Sequence, residues 1–271
     1  MKILCLFKTE PDLDILPEKE WQPDENLRIE TVFLPSIWNC FDESALAMAL
    51  QLRKESKDIS LSALTVAPPA GETAMRTLYA LGFDNCVRLD PGGTDLRFSP
   101  EWVAELICRY CEKAEGFDVL LLGQQSAEGN NSLTPALCAE KLHVPCISRV
   151  TELHCEDEQT LSVSYACNQG LTRRRISAPV VLSVGNAQIS CLPVPTLKAK
   201  MTLGKKPVER LAYGDLGLTE DSAGEYTGLG LMDLEPVSLK RATRRITGAT
   251  PEEIAEKLYT EYIRKALEEG Q

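Results

Sequence analysis

Apolar and polar positions along the first half of the chain follow two alternating rhythms. Mainly apolar, strand-like stretches recur at residues 3–7, 61–66, 86–89 and 119–122, the last an unbroken apolar run as expected of a strand buried on both faces. Between them the spacing turns helical. Residues 42–53 set Ala45, Leu46, Met48, Ala49 and Leu52 at helical intervals, and Glu72–Leu81 ends at Gly82, a residue free to take the left-handed turn that closes a helix. Ser99-Pro100-Glu101 reads as an N-cap, a first helical residue and a first-turn acid, opening a helix to about Ala114. A last helical pattern in this half covers residues 136–142. Strands alternating with helices predict a parallel, doubly wound sheet.

Beyond Leu142 the rhythm changes. Short strand patterns at residues 148–153, 161–166, 173–176 and 180–184, with a turn at Asn168-Gln-Gly170, predict an antiparallel or mixed extension of the same sheet. From about Cys191 the chain is rich in Pro, Gly and charge and keeps no sustained period. It then offers one helix, with Thr250 as N-cap, Pro251 at the first position and Glu253 at the third, running to about Leu267. The apolar residues of this tail argue for packing rather than disorder. The expected organisation is an α/β domain over 1–190 and, over 191–271, an arm and helix that embrace a partner subunit. No internal repeat is visible.

Composition narrows the classes. The chain has 271 residues, 44% of them hydrophobic, enough for a full core. Its net charge of −11 excludes a nucleic-acid binder, which needs clustered Lys and Arg, and disfavours an anionic membrane surface. No apolar run approaches the roughly 18 residues that span a bilayer, so no membrane insertion is expected. Residues 1–8 are too short an apolar stretch for a signal peptide and read as a first buried strand. The ten cysteines sit in a long, core-rich chain rather than a short disulfide framework. Cys5, Cys86, Cys138, Cys146, Cys167 and Cys191 read as small buried hydrophobes. Cys108 and Cys111 form one CxxC inside a helical pattern, and His143 and His154 near Cys146 and Cys155 match no zinc spacing. A reduced, cytoplasmic location follows.

The candidate chemistry lies between the strand at 119–122 and the following helix. Gly123-Gln-Gln-Ser-Ala-Glu-Gly-Asn-Asn-Ser-Leu-Thr134 is a polar loop leading into a helix start, where backbone N–H groups favour an anion. In an open α/β sheet, ligands sit at the carboxyl ends of the strands. The loop lacks a Walker lysine and a dinucleotide triple glycine, so a phosphate-bearing ligand held by main chain and amides is the expectation. A plain solvated loop is the competing reading. Asp42 reads as the N-cap of the helix it opens. Arg173-Arg-Arg175 fits a solvated strand or turn.

Five ordered landmarks carry a family resemblance. They are Phe7-Lys8 with Glu10-Pro-Asp12; Asn39-Cys-Phe-Asp-Glu-Ser-Ala45; Ala63-Leu-Thr-Val66 with Arg76-Thr-Leu-Tyr-Ala-Leu-Gly-Phe-Asp84; Gly123–Asn131; and Leu192-Pro-Val-Pro-Thr-Leu-Lys-Ala-Lys200. Together they resemble the beta subunit of electron transfer flavoproteins, as a divergent paralogue close to the nitrogen-fixation-associated members. The resemblance runs from residue 1 to the final helix. It implies a three-layer, mostly parallel doubly wound sheet of the adenine nucleotide alpha hydrolase kind with a C-terminal arm. It implies a heterodimer with an alpha subunit, an FAD held mostly by that subunit, and an AMP or, in bifurcating members, a second FAD in the beta site. Electrons would pass from a flavin-dependent dehydrogenase to a quinone oxidoreductase or ferredoxin-like acceptor. By position, the nucleotide site would comprise Leu6, Asn39, Cys40, Phe41, Asp42, Val66, Gln124, Gln125, Ser126, Ala127, Glu128, Gly129, Asn130, Asn131, Ser132, Leu133 and Thr134. Partner docking would fall on Leu192, Pro193, Pro195, Leu197 and Lys198. The resemblance implies no catalytic residues and no metal.

The chain departs from that family at several points. Gln124 stands where many members carry Lys, Glu128-Gly-Asn-Asn replaces an Asp-rich run, Thr134-Pro135 replaces Thr/Val-Gly, Cys40 replaces Pro, and Leu13 replaces an aromatic near the flavin. Two rival classes stay open. A stand-alone adenine-nucleotide sensor of the universal-stress kind would not need the arm. A nucleotide alpha hydrolase enzyme would need a pyrophosphate-gripping loop after the first strand, which Thr9-Glu-Pro-Asp12 does not supply.

Overall fold

Each apolar run of the first half forms a strand in the computed structural model, which describes residues 1–226, 230–236 and 243–269. In chain order the elements are β1 (Lys2–Leu6), β2 (Thr9–Pro11), β3 (Ser36–Trp38), α1 (Cys40–Glu55), β4 (Ser60–Val66), α2 (Glu72–Leu81), β5 (Asn85–Asp90), α3 (Pro100–Lys113), β6 (Val119–Gly123) and α4 (Thr134–Leu142). They continue with β7 (Cys146–Cys155), β8 (Thr160–Cys167), β9 (Gly170–Ser177), β10 (Val180–Val184), α5 (Leu197–Thr202), β11 (Glu209–Ala212) and α6 (Glu220–Tyr226). Gly82 closes α2 at φ 105°, as expected. Ser99 takes the N-cap position of α3, but its hydroxyl turns back to donate to the Asp95 carbonyl at 2.9 Å.

The nine-stranded sheet runs β11-β5-β4-β1-β6-β10-β7-β8-β9. Its pairs are parallel from β11 to β7 and antiparallel through β8 and β9. The mixed extension is therefore present, with one rearrangement: β10 returns inward and pairs with β6 and β7. Two apolar layers sandwich the sheet. Ile3, Cys5 and Phe7 of the first strand and its exit face α1 and α2, while Leu4 and Leu6 face α3 and α4. The alternation is that of a strand whose two faces are both covered.

The tail differs most from its sequence pattern. Residues up to Leu234 belong to the first unit, and β11 adds a parallel edge strand beside β5. Tyr226 stacks on the fully buried Trp102 of α3 at 6.0 Å, and Tyr213 tilts against the same ring at 6.3 Å. The second unit, Glu235–Gln271, contains α7 (Pro251–Leu258), a π-turn at Tyr259–Ile263 and α8 (Arg264–Glu269). Thr250 caps α7 by accepting from the Glu253 N–H at 3.3 Å, as its sequence predicts. Ile254, Leu258, Ile263 and Leu267 leave an exposed apolar stripe on this helix.

All ten cysteines are free. Cys5, Cys86 and Cys138 are buried as expected, whereas Cys146 and Cys167 are only partly covered and Cys191 is exposed. The last lies in the Pro-rich segment outside both apolar layers, so its neighbours in sequence misled. Cys108 and Cys111 are buried in α3; burial pushes the Cys111 thiol up to about 12, far from a reactive thiolate. Among the described residues no His, Cys, Asp or Glu group could hold a metal ion, and no helix is long and apolar enough to cross a membrane.

Candidate functional site

The chain leaves β1 for β4 and β5 on one side, then crosses by α3 to β6 on the other. That reversal splits the carboxyl ends of the strands and opens a crevice, the usual ligand position of such sheets. A cleft of about 830 Å³, counting its open mouth, lies there. Its walls are Leu6, Phe7 and Lys8 from the end of β1 and its exit, Leu64 and Val66 from β4, Leu122 to Gln124 from the end of β6 and just beyond, and Leu96, Val103 and Ile107 from the approach to α3 and the helix itself. The polar side is Gln125, Ser126, Glu128, Asn131, Ser132 and Thr134.

Of the expected nucleotide residues, Leu6, Asn39, Asp42, Val66, Gln124, Gln125, Ser126, Glu128, Asn131, Ser132 and Thr134 line this cleft. Cys40, Phe41, Ala127, Gly129, Asn130 and Leu133 are not among its lining residues. The apolar wall from Leu96, Val103 and Ile107 and the cation Lys8 are additions that sequence reasoning missed. Lys8 had a visible signal, since it is the charged residue that directly follows the apolar run Ile3–Phe7.

Asp42 holds the crevice together, though not as the N-cap it resembles. Asn39 occupies the N-cap position, and its carbonyl accepts from the Glu43 N–H at 2.9 Å. Asp42 sits in the first turn and reaches across the chain instead. Its carboxylate accepts from the backbone N–H of Lys8 at 2.9 Å, the backbone N–H of Gly123 at 2.7 Å and the Asn39 amide at 2.9 Å. Three chain segments therefore meet on one side chain. Burial pushes the Asp42 carboxyl up to about 6, against the pull of those donors and of the nearby Lys8 charge. Gly123 is required beside it, because a Cβ there would stand 2.5 Å from Asp42 Oδ1 and 2.8 Å from the Asp42 nitrogen.

The loop is wired in from the same point. The Asn39 amide donates a second bond to the Gln125 carbonyl at 2.8 Å, and the Gln124 N–H donates to Val184 at 2.9 Å. Asn131 accepts from the Leu133 N–H at 3.0 Å, and the Ser126 hydroxyl donates to the Glu128 carbonyl at 2.7 Å. Lys8 Nζ reaches Glu128 Oε2 at 2.9 Å and the Glu128 carbonyl at 3.3 Å. No side chain caps α4, and Pro135 removes one donor, which leaves the N–H groups of Thr134 and Ala136 uncapped by any side chain at the helix start. An apolar wall therefore stands opposite amides, hydroxyls, one ammonium and a helix N-terminus.

At a second edge, the docking candidates cluster. Leu192 packs against the first apolar layer, and its N–H donates to Glu43 at 2.9 Å. Pro195 is half-buried, while Pro193, Leu197 and Lys198 are exposed. Val194 (88% exposed), Leu197 (73%) and Met201 (59%) form an apolar surface. Beside it Arg76, Lys205, Lys206 and Arg210 line a basic groove around Glu72. Arg173 and Arg175, by contrast, are matched within the chain by Glu152 and Glu156.

These features define a doubly wound α/β protein with a part-apolar, part-polar crevice at its switch point. Residues 29–216 match the family model of the electron transfer flavoprotein domain. Over 276 residues the chain is 33% identical to the putative electron transfer flavoprotein subunit YgcR of Escherichia coli K12, covering 99% of this chain and 100% of that one. It is 27% identical over 217 residues to the electron transfer flavoprotein subunit beta of Bacillus subtilis, covering 78% and 83% of the two chains. It is also 23% identical over 278 residues to the caffeyl-CoA reductase-Etf complex subunit CarD of Acetobacterium woodii, covering 98% and 100%. The chain belongs to the electron transfer flavoprotein family. Members of that family are electron carriers.

Proposed function

We propose that this chain is the beta-type subunit of a heterodimeric electron transfer flavoprotein, and that its cleft takes an adenine nucleotide, either AMP or the adenylate half of a second FAD. The cleft itself carries the reading: an apolar wall faces a polar loop and a helix start at the sheet's switch point. FAD would supply the redox chemistry when held with the alpha subunit. This chain's residues would bind and orient the nucleotide and exclude water around it. The exposed apolar stripe of α7 and α8 supports an arm that covers the alpha subunit. The segment around Leu192–Lys198, with its apolar surface and basic groove, supports transient docking of a flavin-dependent dehydrogenase. A quinone oxidoreductase or ferredoxin-like protein would be the acceptor, in the cytoplasm.

Co-expression with an alpha-type subunit, followed by visible absorption and nucleotide extraction, tests this. A yellow heterodimer with one FAD and one AMP is the expected product, and two FADs would mark a bifurcating pair. A colourless, self-associated chain that still binds adenine nucleotide would overturn the carrier role in favour of a stand-alone sensor.

A further inference from the structure

The charges lining the cleft are unevenly shared. Among its described lining residues Lys8 is the one cation, while Glu128 and Asp42 are acidic. Lys8 is also already engaged, by the Glu128 carboxylate at 2.9 Å and the Glu128 carbonyl at 3.3 Å. The loop is shaped to bring Glu128 there. Ser126 holds the Glu128 carbonyl at 2.7 Å, and Gly129 follows at φ 81° with no room for a Cβ, which would stand 2.5 Å from the Arg97 carbonyl. The loop's Gln124 and Gln125 bring no charge of their own. A phosphate that reaches Lys8 has to take it from Glu128, and one held at the α4 start gains no free ammonium and shares the cleft with that carboxylate, a like-charge arrangement that costs affinity.

We propose that Glu128 is a specificity-determining residue that occupies Lys8 in place of a ligand phosphate, so that the cleft disfavours the dianionic phosphomonoester of AMP relative to an adenine ligand carrying less charge. The inference rests on the adenine reading of the cleft given above. It predicts that the ratio of AMP to adenosine affinity depends on Glu128 and that this dependence acts through Lys8. Both side chains are partly exposed, so Glu128→Gln and Lys8→Met are expected to fold, checked by circular dichroism beside the wild type.

The experiment is calorimetric titration of the full chain, stripped of bound nucleotide, with AMP and separately with adenosine at low ionic strength. Glu128→Gln should raise the AMP-to-adenosine affinity ratio on the order of tenfold, a size typical of one partly screened charge interaction near a protein surface. In Lys8→Met/Glu128→Gln most of that gain should vanish, because the freed ammonium is gone. A ratio unmoved by Glu128→Gln, or moved equally in both backgrounds, would overturn the proposal while leaving the adenine reading standing. Failure of every variant to bind either compound would overturn both.

Discussion

Two carboxylates organise two ends of this sheet, and they do so by opposite means. At the switch-point cleft, Asp42 is 7% exposed and is met by three N–H donors, two of them backbone. Desolvation dominates, and its carboxyl is pushed up to about 6. At the β5–β11 edge, Glu72 is gripped by two guanidiniums. Arg210 binds it twice, at 2.7 and 2.8 Å, and Arg88 adds a bond at 3.2 Å. Those partners, with Arg210 foremost, hold Glu72 down to about 2. Neutral donors leave a buried charge under strain yet pin backbone with fixed geometry; cations satisfy the charge and tie late-arriving chain to the sheet. The cleft is built by the first arrangement, so its polar loop stays free of fixed positive charge apart from Lys8.

Removing the first carboxylate should have the largest effect. Asp42→Ala strands the Lys8 and Gly123 N–H groups without an acceptor and removes one of the Asn39 amide's two bonds, at about 1–3 kcal/mol for each buried group left unpaired. A loss of roughly 3–6 kcal/mol in urea unfolding is expected, together with loss of nucleotide binding. A loss below about 1 kcal/mol would show that the three segments are braced by something else. Breaking the second arrangement comes next. Arg88 is 7% exposed and also bonds the Ala67 carbonyl at 3.0 Å and Asp90 at 3.2 Å. Arg88→Leu should cost about 2–4 kcal/mol, below the 3–5 typical of a fully buried pair because Arg210 remains on Glu72. Nucleotide affinity should change little, which separates the edge from the cleft.

Much of this contrast was legible in the sequence, but not the part that decides it. The apolar runs and the punctuation at Gly82, Pro100 and Pro251 located strands and helices because those signals are local. β11 was missed for a physical reason: Glu209–Ala212 lies at the sheet edge with mostly exposed side chains, so no burial pattern is written into it. It is held by its pairing with β5, by Leu211 against the second apolar layer and by the Arg210–Glu72 pair, made across 138 positions of sequence. Asp42 failed similarly. An Asp near a helix start fits the N-cap and the first turn alike, and only the fold brings Lys8 and Gly123 to it. The loop after β6 was readable as a candidate loop, and much of it lines the cleft, whereas the apolar wall from Leu96, Val103 and Ile107 required the return of α3.

A pH series sharpens the comparison because the two groups have opposite signs. For Asp42 the folded value lies above the unfolded one, so the folded state binds the extra proton and stability falls as pH rises from about 4 to 6. The accumulated change is about 3 kcal/mol at most, because that window spans roughly two pH units. The stability advantage of wild type over Asp42→Asn should therefore shrink across it. Glu72 behaves oppositely: its contribution is present above about 4.5 and is lost as pH falls toward about 2. A wild-type advantage over Asp42→Asn that stays flat or grows from pH 4 to 6 would contradict the desolvated state assigned to Asp42.

The smallest expected effect concerns the third carboxylate, Glu128, which shares the cleft with Asp42 but not its role. Its pairing with Lys8 is partly exposed on both sides, and such pairs contribute about 0–1 kcal/mol. Glu128→Gln should therefore leave the urea midpoint within about 0.5 kcal/mol of wild type at neutral pH, and added salt should narrow even that difference. Asp42 fixes where backbone ends meet; Glu128 sets only what charge the open side presents to a ligand. If Glu128→Gln instead unfolded the chain as readily as Asp42→Ala, the loop would be part of the brace, and the division between a rigid crevice and an adjustable rim would fall.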